Sequence, residues 1–551
     1  MFNPRSLFRA GALLLSTALG LTVSAASANE LGRLVKITGA DPFSGCTADN
    51  VAGQVGVNYP GTAIEPWVAV NPLDPAHLVA GVQRDRWSNG GSRGLIAAVR
   101  HRRGGGWTEV VPGKVTNCEG GPWLRASDPW VDFSLFGVLY YMHLVFQADL
   151  PNGSFGPNAM VVTRSFDGGR SWTGLTSLIS DTDPQVLNDK NSLTADPRYP
   201  QLAYAVWDRL QDFTLPPGHH EPGGASPVLG GSGSGGAHDG VLAARARVKA
   251  LKSAATANAK AAAAPALPEV QFIGPAYFTR TTNFGFTWEA PRIIFDAGPN
   301  AQTIDNLVVV PPNGSVVDFF THIFTDGSVE TDLVRSFDHG RTFGPAIKAQ
   351  DNQALGVVTP DDRAPVRDAS ILYSVAVDHR SGALYIAWQD SRFSGNAYDE
   401  IAFSQSTDNG TTWSAPVRIN KTPHNANPLR QQAFIPAIEV GPRGEIVVTY
   451  YDFRNDVSDG KESTDYWAVF CNPRAGSCSD SARWGGELRV TEASFNYLDA
   501  PLAGGHFLGD YMGLKRAGNA VYPVFGMATG PNKTDIFTRK IRFEHEDAAI
   551  D

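Results

Sequence analysis

The sequence predicts an all-β protein built from repeated antiparallel units. An eight-residue pattern, Ser/Thr-x-Asp/Asn-x-Gly-x-Ser/Thr-aromatic, occurs four times, at 165–172, 281–288, 336–343 and 406–413. Each copy follows a short apolar run with strand character, such as Met160-Val161-Val162-Thr163, so each is expected to close a hairpin. Glycine (57) and proline (37) are abundant among the 551 residues, and charged residues make up only 18%, as in turn-rich β proteins. Four copies of one turn indicate a repeat architecture.

The parts of this pattern have separate physical roles. The Asp or Asn side chain accepts hydrogen bonds from backbone N–H groups within the turn, and the Gly tolerates positive φ. The aromatic ring can anchor the hairpin between neighbouring sheets. The acidic position is filled by Asp167, Asn283, Asp338 and Asp408, and the Asn indicates a turn-closing role, because a catalytic carboxylate could not be exchanged so freely. At all four sites the pattern resembles the Asp-box, or BNR repeat, of the sialidase (neuraminidase) superfamily.

A second repeat, upstream of each turn, divides the chain into units of four strands. A Val- and Ala-rich inner strand is followed by a second apolar strand, and the eight-residue turn joins the third strand to the fourth. Seven inner strands begin near residues 66, 128, 191, 306, 371, 434 and 509. The last unit ends after its third strand, and residues 33–38 near the N-terminus can supply its fourth. We therefore predict a β-propeller of seven four-stranded antiparallel blades closed by the N- and C-terminal strands. Six blades, typical of sialidases, are the alternative, because the first and last units lack the turn.

The N-terminus has the pattern of a secretory signal over residues 1–28. Arg5 and Arg9 precede an apolar core over residues 11–23, and Ala26-Ser27-Ala28 is a cleavage motif. A membrane anchor is the alternative, but the core is shorter than the ~20 residues that span a bilayer. We expect a secreted or periplasmic protein, cleaved near Ala28, with no membrane span.

The mature chain is predicted to be one propeller domain over residues 29–551. A Pro-, Gly-, Ser- and Ala-rich stretch, residues 212–270, interrupts the third unit and is expected to be a disordered insertion, a transient helix over 241–264 being the alternative. The mature chain contains four cysteines, which suit disulfides Cys46–Cys118 and Cys471–Cys478, with a metal site as the competing interpretation. The net charge of −9 argues against nucleic acid as a partner.

Strand direction assigns the turns and the candidate active site to opposite faces. The starts of the inner strands carry Glu65, Asp128, Asp189, Lys190, Asp305, Arg367, Asp368, Asp510 and Tyr511. The ends of the second strands carry Arg84, Arg86, Arg209, Arg392 and Arg454. Carboxylates that converge on one axis raise one another's pKa values, a common property of functional sites. The structural alternatives are salt bridges between blades and, for the acids, solvated residues at the channel mouth or one bound cation such as calcium.

The resemblance to sialidases implies a role for these groups. Sialidases hold the substrate carboxylate with an Arg cluster, and use a Tyr nucleophile paired with a Glu and an Asp acid/base. By this resemblance the catalytic candidates are Tyr511, Glu65, Asp128, Asp368 and Asp510, and the substrate-binding candidates are Arg84, Arg86, Arg209, Arg367, Arg392 and Arg454. The chain departs from the family on the first blade, where an aromatic-Arg-Ile-Pro segment is replaced by Ile64-Glu65-Pro66-Trp67.

The predicted function is a secreted, sialidase-like glycoside hydrolase that acts on terminal acidic sugars of a carbohydrate or glycoconjugate, with no cofactor and no resident metal. Two alternatives stay open. A non-catalytic propeller that binds glycan or protein is favoured by the missing Arg of the first blade. A polysaccharide lyase is the other, with His506 beside the seventh inner strand as a candidate base.

Overall fold

The computed structural model describes residues 29–51, 56–101, 105–147, 156–214, 270–368, 370–424 and 427–543. It is all-β, with 50% strand and 4% helix, as predicted. The predicted signal peptide with its cleavage site near Ala28, and residues 215–269 of the predicted insertion, lie outside the described residues. No helix in the described part of the chain is both long and apolar enough to cross a membrane.

The strands alternate in short hairpins along the chain. The first half contains β1 Glu30–Lys36, β2 Asn58–Val70, β3 Leu78–Trp87, β4 Ser92–Arg100, β5 Thr108–Val110, β6 Arg125–Phe133, β7 Leu139–Phe146, β8 Asn158–Ser165, β9 Thr176–Asp181, β10 Val186–Ala195, β11 Ala203–Asp212, β12 Phe272–Ile273, β13 Ala276–Thr281 and β14 Arg292–Phe295. The second half contains β15 Gln302–Val309, β16 Val316–Ile323, β17 Val329–Ser336, β18 Ile347–Asp351, β19 Tyr373–Val377, β20 Leu384–Asp390, β21 Glu400–Ser406, β22 Val417–Arg418, β23 Ala433–Val440, β24 Ile446–Asp452, β25 Ser463–Cys471, β26 Gly485–Arg489, β27 Phe495–Asn496, β28 Gly513–Ala517, β29 Ala520–Gly530 and β30 Lys533–Arg542. Short 3₁₀ helices cover Asn117–Glu119, Arg392–Ser394, Pro428–Gln431, Ser481–Arg483 and Tyr497–Asp499.

The strands pair antiparallel in groups of four, which we number as units 1 to 7 in chain order. Units 1 to 6 are β2–β5, β6–β9, β10–β11–β13–β14, β15–β18, β19–β22 and β23–β26. A single residue pair, Ser92 with Ala126, links units 1 and 2 into one larger sheet. Unit 7 has the order β1–β30–β29–β28, so the predicted pairing of the N-terminal strand with the C-terminal one is confirmed.

The first strands of successive units contact one another around the molecule. Contacts join β2 to β6, β6 to β10, β10 to β15, β15 to β19, β19 to β23 and β23 to β28, and β28 returns to β2. The sheets pack face to face through their Val-, Ala- and aromatic-rich strands, which form the buried core. The seven first strands therefore surround a common centre.

The eight-residue turns, residues 165–172, 281–288, 336–343 and 406–413, are called the repeat turns below. In the first, Asp167 Oδ1 accepts from the backbone N–H groups of Arg170 at 3.0 Å and Ser171 at 2.9 Å, and Ser171 Oγ donates to Oδ2 at 2.6 Å. Asn283 keeps the same arrangement, accepting from Thr287 N at 2.9 Å and donating to Thr287 Oγ1 at 2.8 Å. These contacts confirm that the carboxylate or amide closes its own turn.

The repeat turns lie beside the turns that join the first and second strands. His77 is the last residue of the turn that joins the first and second strands of unit 1. Its Nε2 lies 2.9 Å from the carbonyl oxygen of Gly168 in the first repeat turn. Phe284 N likewise donates to the carbonyl of Gln201 at 3.0 Å. Both kinds of turn therefore share one side of the molecule, which we call the repeat-turn face.

Two disulfides are formed, as predicted. Cys46–Cys118 ties the segment after β1 to unit 1, and Cys471–Cys478 closes a short loop after β25. Cys471 and Cys478 are buried in the core cluster that also contains Trp484.

Candidate active site

The inner-strand starts share an unusual backbone conformation. The pairing of the first strand with the second shifts register there in five units, and the residue at the bulge has positive φ: Glu65 (53°), Asp128 (52°), Lys190 (47°), Asp305 (64°) and Ile435 (51°). A left-handed conformation costs a non-glycine residue about 1–2 kcal/mol. Such strain persists only where surrounding structure imposes it, and it clusters at functional sites. Here it recurs at four charged residues around the common centre.

Asp510, just before β28, is the hub of these charges. Arg367 holds it with two hydrogen bonds, Nε to Oδ1 at 2.8 Å and Nη2 to Oδ2 at 2.5 Å. Lys190 Nζ lies 2.5 Å from the same Oδ2 and 3.6 Å from Glu65 Oε1. Although burial alone would raise it, Arg367 and Lys190 hold the pKa of Asp510 far below its usual range. Asp510 is therefore an ionised carboxylate at the centre of the fold.

Glu65 is the carboxyl next to Asp510, and its pKa is shifted in the opposite direction. Its Oε1 accepts from the backbone N–H of Asp510 at 3.2 Å, and its Oε2 accepts from Gln83 Nε2. Gln83 in turn accepts from Arg86 Nη1 at 2.9 Å. Burial raises the pKa of Glu65 to about 7, because the attraction of Lys190 does not offset the loss of solvent.

Two further predicted acids are anchored within the chain. Asp128 accepts from Ser127 Oγ at 2.7 Å and from the backbone N–H of Lys190 at 3.1 Å, so it joins the cluster. Asp368 accepts from the backbone N–H groups of Val357 and, at 3.1 Å, of Ser370. These bonds tie the Asp368 side chain to the backbone of Val357 and Ser370, directly after Arg367 in the chain. Glu65, Asp128, Lys190, Arg367 and Asp510 are called the central charge cluster below.

Tyr511 directly follows Asp510 in the chain. Its ring stands edge-on to Trp67 and Trp130, at centroid distances of 5.9 and 5.5 Å, and those two indoles stack at 3.6 Å. Its hydroxyl has no hydrogen-bond partner among the described residues. Burial, followed by the charges of Glu65 and Asp128, raises the pKa of Tyr511 well above 10, so it is a neutral phenol at rest.

The six predicted arginines do not converge on one point. Arg209 pairs with Asp181 at 2.7 Å across units 2 and 3. Arg392 pairs with Asp390 at 2.7 Å, and Arg454 with Asp452 at 2.5 Å.

The remaining three arginines are Arg84, Arg86 and Arg367. Arg84 Nη2 donates to the carbonyl of Gly39 at 3.3 Å. Arg86 and Arg367 place their guanidinium groups 4.9 and 4.3 Å from the ring of Phe507. Only Arg86 and Arg367 are thus brought to the central charge cluster.

The face at the inner-strand starts is closed, which differs from the expectation that the site opens there. Residues 499–509 cross this face: the backbone N–H of Arg367 donates to the carbonyl of His506 at 3.0 Å, and that of Glu65 to Leu508 at 2.9 Å. Phe507 packs with Ile64 and Ala503 over the cluster, all fully buried. A long connection between units 6 and 7 has folded inward, and strand order alone does not specify that path.

A cavity of about 310 Å³ reaches the cluster from the other direction. It runs along the inner strands, with Asp305, Asp510, Tyr511, Trp67 and Trp130 at its inner end. Its other end is lined by Pro72, Pro197, His379, Lys515 and Arg516, which lie near or beyond the ends of the inner strands, on the repeat-turn face. The volume is at the lower end of the range for small-molecule sites, and the mixed aromatic and charged lining is typical of them.

Asp305 is one of the acids that line this cavity, with Asp132, Glu439 and Asp510. The sequence places it on the ring, but the resemblance gives it no catalytic role. Asp305 is 6% exposed, and a hydrogen bond from the backbone of Tyr373 favours the ionised form of its carboxyl. Burial raises the pKa of Asp305 to about 7, with Lys190 acting in the other direction. The signal that could have found it is its position, equivalent to Glu65 and Asp128 at the start of an inner strand.

Two cations line the outer end of the same cavity. Lys515 lies 3.8 Å from Glu439 and 5.5 Å from the ring of Trp67, and its side chain is 40% exposed. Arg516 is exposed and forms no ion pair among the described residues. Neither was selected from the sequence, because a Lys-Arg pair in a strand is ordinarily a solvated edge.

A cluster of three or more His, Cys, Asp or Glu ligand atoms occurs at one place in the described residues, Cys46, Asp49 and Cys118. Both cysteines are in the disulfide, so this group does not offer thiolates to a metal.

No protein-family model matches the chain, and no curated protein matches it. Among solved structures, a protein of unknown function from Dyadobacter fermentans is 12% identical, with a TM-score of 0.41, over 90% of this chain and all (100%) of that one. The Hadza microbial sialidase Hz136 is 14% identical, with a TM-score of 0.42, over 84% and 76%. An α-L-arabinanase of Penicillium chrysogenum, complexed with arabinobiose, is 11% identical, with a TM-score of 0.38, over 75% and 93%. Likeness at this level assigns neither family nor activity.

Proposed function

We propose that this chain is an exported glycoside hydrolase, a seven-bladed β-propeller of the sialidase-like kind, which cleaves a terminal acidic sugar held in the central cavity. The observation that carries the proposal is the pair of carboxyls at the inner end of that cavity. The pKa of Asp305 is raised to about 7, whereas that of Asp510 is held far below the usual range. Carboxyls whose pKa values are driven apart by their surroundings are the usual acid and base of glycoside hydrolysis.

The two carboxyls have distinct roles in the proposed reaction. Asp305, whose raised pKa keeps a large fraction of its carboxyl protonated up to about pH 7, donates its proton to the glycosidic oxygen as the bond to the sugar breaks. Asp510 stays ionised because Arg367 and Lys190 hold it, and its charge stabilises the positive charge that develops on the sugar. If water attacks the anomeric carbon, its proton passes to the Asp305 carboxylate left by the first proton transfer. If the Tyr511 oxygen attacks first, its proton passes to a carboxylate, for which Glu65 is the candidate. Water then displaces Tyr511 from the anomeric carbon, the water proton passing to Asp305 and the Glu65 proton returning to the Tyr511 oxygen.

The cavity also carries a cationic end, which supports an acidic substrate. Lys515 and Arg516 lie four and five residues beyond Tyr511 along the strand, or roughly 13–17 Å at ~3.3 Å per residue. At that distance these cations would match an acidic group on the part of a longer ligand that reaches the outer end of the cavity, the guanidinium offering a forked pair of donors. This assigns the carboxylate-binding role to residues other than Arg209, Arg392 and Arg454, whose guanidinium groups already pair with chain carboxylates.

Other features support the architecture and the compartment. The cyclic contacts of seven first strands, and the β1–β30 pairing, support seven blades in one domain over residues 29–551. The two disulfides support export after cleavage of residues 1–28.

One observation favours the second candidate, a propeller that binds glycan without turnover: the face at the inner-strand starts is closed by residues 499–509. The lyase alternative has less support, because His506 Nδ1 lies 3.0 Å from the carbonyl of Ala500 in that closing segment and the residue does not line the cavity.

The test is hydrolysis of fluorogenic sialosides, uronides and neutral glycosides by the wild type between pH 4 and 8. Asp305→Asn should lower kcat by about 10²–10⁴-fold, the usual contribution of a general acid. Tyr511→Phe separates attack by Tyr from attack by water: the first requires a comparable loss, the second a small one. The matched control is Asp318→Asn, which changes an equally buried Asp outside the cavity lining and should leave kcat unchanged.

A second pair of variants tests the acidic-sugar assignment. Arg516→Ala should raise KM for an acidic substrate with little change for a neutral one, and Arg392→Ala should change neither. A rise in KM for Arg392→Ala alone would instead favour the arginine set chosen from the sequence. Binding on a glycan array, with no turnover of any substrate, would contradict the hydrolase and favour the binding protein.

A further inference from the structure

Two carboxylates face each other across unit 3, away from the central cavity. Asp189 on β10 and Asp208 on β11 are directly opposite in the register of the antiparallel pair. Both are at least 95% buried, at 4% and 5% exposure. Like charges in directly opposed cross-strand positions repel one another and destabilise a sheet. Neither residue forms an ion pair with any of the described residues.

The oxygen atoms of this pair are unequally satisfied. Asp208 Oδ1 accepts from Thr303 Oγ1 at 2.9 Å and Asn306 Nδ2 at 2.5 Å, and its Oδ2 accepts from the backbone N–H of Asp305 at 2.8 Å. Asp189 Oδ1 accepts only from the backbone N–H of Lys190, at 2.9 Å. Asp189 Oδ2 is buried and has no donor among the described residues. Since a carboxylate has about four lone-pair sites, Asp189 keeps most of its accepting capacity unused.

A small cavity lies between these side chains. Its volume is about 20 Å³, and both Asp189 and Asp208 line it, with Thr303, Gln302 and Gly274 from the neighbouring segments. A space of ~10–15 Å³ or more holds one water-sized body. The cavity is therefore large enough for one unhydrated cation or one water molecule, and the orphaned Asp189 carboxylate is in its wall.

The surroundings offer only hard oxygen ligands. Besides the two carboxylates, the hydroxyl of Thr303 keeps free lone pairs. The amide oxygen of Asn306, whose nitrogen is tied to Asp208, is also buried without a donor in the described part of the chain. Carboxylate, amide and hydroxyl oxygens are the ligands preferred by calcium, magnesium and sodium ions and not by softer metals.

From the opposed carboxylates, the cavity and the orphaned oxygens we propose that a hard, oxygen-liganded cation binds between units 3 and 4, held by Asp189 and Asp208. It neutralises the cross-strand repulsion and joins β10 and β11 to the start of β15, on which Thr303 and Asn306 lie. Lys190, which follows Asp189, contacts Asp510, so the cation also fixes a strand start that carries the central charge cluster. The site is separate from the sugar cavity, and its test does not depend on any catalytic activity.

The experiment uses the full mature chain, freed of metal by dialysis against a chelator. Calcium, magnesium or sodium chloride is then added, and metal content and thermal unfolding are measured. One equivalent of one of these ions should be retained after desalting, and the Tm should rise by about 2 °C or more at saturation. Asp189→Asn should lose both the retained ion and the rise in Tm. Asp318→Asn should keep both, because Asp318 is equally buried but does not line this cavity.

Three outcomes would overturn the proposal. Retention of none of these ions by the wild type would mean that water or a shared proton satisfies Asp189 and Asp208. Equal retention by Asp189→Asn would place the ion elsewhere. Loss of retention in both variants would indicate a general effect of removing a buried charge. If Asp189→Asn does not fold, the metal content of the wild type with Asp208→Asn as the second variant decides the question.

Discussion

The carboxylates of the repeat turns and those at the inner-strand starts are the same chemical group in opposite surroundings. Asp167 is largely exposed and accepts hydrogen bonds from groups within its own turn, and these bonds lower its pKa to about 2. Burial raises the pKa values of Glu65 and Asp305, in contrast, to about 7. Asp167 is therefore ionised near neutral pH, whereas Glu65 and Asp305 can gain or lose a proton there.

The difference shows which carboxylates are available for chemistry. A carboxylate that has used its lone pairs on local donors stabilises a turn and has little capacity left for a ligand. A carboxylate that is buried with few donors is costly to ionise, and is retained where a proton or a ligand compensates. Asp510 is the intermediate case, because it is buried but ionised through Arg367 and Lys190.

Asp510→Asn should have the largest effect on stability. It would leave the buried cations Lys190 and Arg367 without the carboxylate that they share, and breaking a buried pair costs about 3–5 kcal/mol. Urea unfolding measures this loss. Asp318→Asn is the control, because neither oxygen of that buried carboxylate has a donor among the described residues, and its free energy of unfolding should change by less than about 1 kcal/mol. Equal losses in the two variants would show that the ion pairs of Asp510 are not what stabilises the centre.

The two kinds of carboxylate should respond to pH in opposite directions. The pKa of Asp305 is raised from 3.8 to about 7, so its contribution to stability is full below about pH 3.8 and is lost as the pH rises through 7. Through Asp305 alone, the free energy of unfolding should fall by about 3 kcal/mol as the pH is raised from 4.5 to 8. Urea unfolding of Asp305→Asn at the two pH values should show that this decrease is absent.

For Asp167 the folded pKa is lowered, so its contribution is present above about pH 3.8 and lost as the pH falls toward 2. Asp167→Asn should therefore remove the fall in stability between about pH 3.8 and 2, and should leave the slope of stability with pH unchanged in the neutral range. An altered slope in the neutral range for Asp167→Asn, or an unaltered slope for Asp305→Asn, would contradict the contrast.

The smallest effects are expected in the repeat turns, where the chain supplies its own control. Asp338→Ala removes the acceptor of Arg341 N, Thr342 N and Thr342 Oγ1 on an exposed turn, and should cost about 1 kcal/mol. Asp338→Asn should cost less than about 0.5 kcal/mol, because Asn283 makes the equivalent bonds in the second repeat turn. Thermal unfolding of the two variants would measure the difference, and a larger cost for Asn than for Ala would refute the turn-closing role.

The sequence predicted the strand groups and the repeat turns because the information for each is local or repeated. It predicted the disulfides because Cys471 and Cys478 are only 7 positions apart, which leaves Cys46 and Cys118, 72 positions apart, to pair with each other. The ring of charges at the inner-strand starts was also predicted, since equivalent positions of repeated units must meet at one centre. The sequence does not rank those charges by their surroundings. Burial of Asp305, the proposed acid, and the pairing of Arg392 with Asp390 are visible only in the folded chain.

Sequence by itself determined what depends on neighbours along the chain: an eight-residue turn contains both the acceptor Asp338 and its donors. Tertiary structure decided what depends on distant partners. Lys190 and Asp510 are 320 positions apart, and Asp510 and Glu65 are 445 apart, so the shifts of their pKa values arise only when the ring is assembled. The path of residues 499–509 was decided in the same way, because packing of Phe507 between Arg86 and Arg367 closes one face and leaves the cavity to reach the charges from the other.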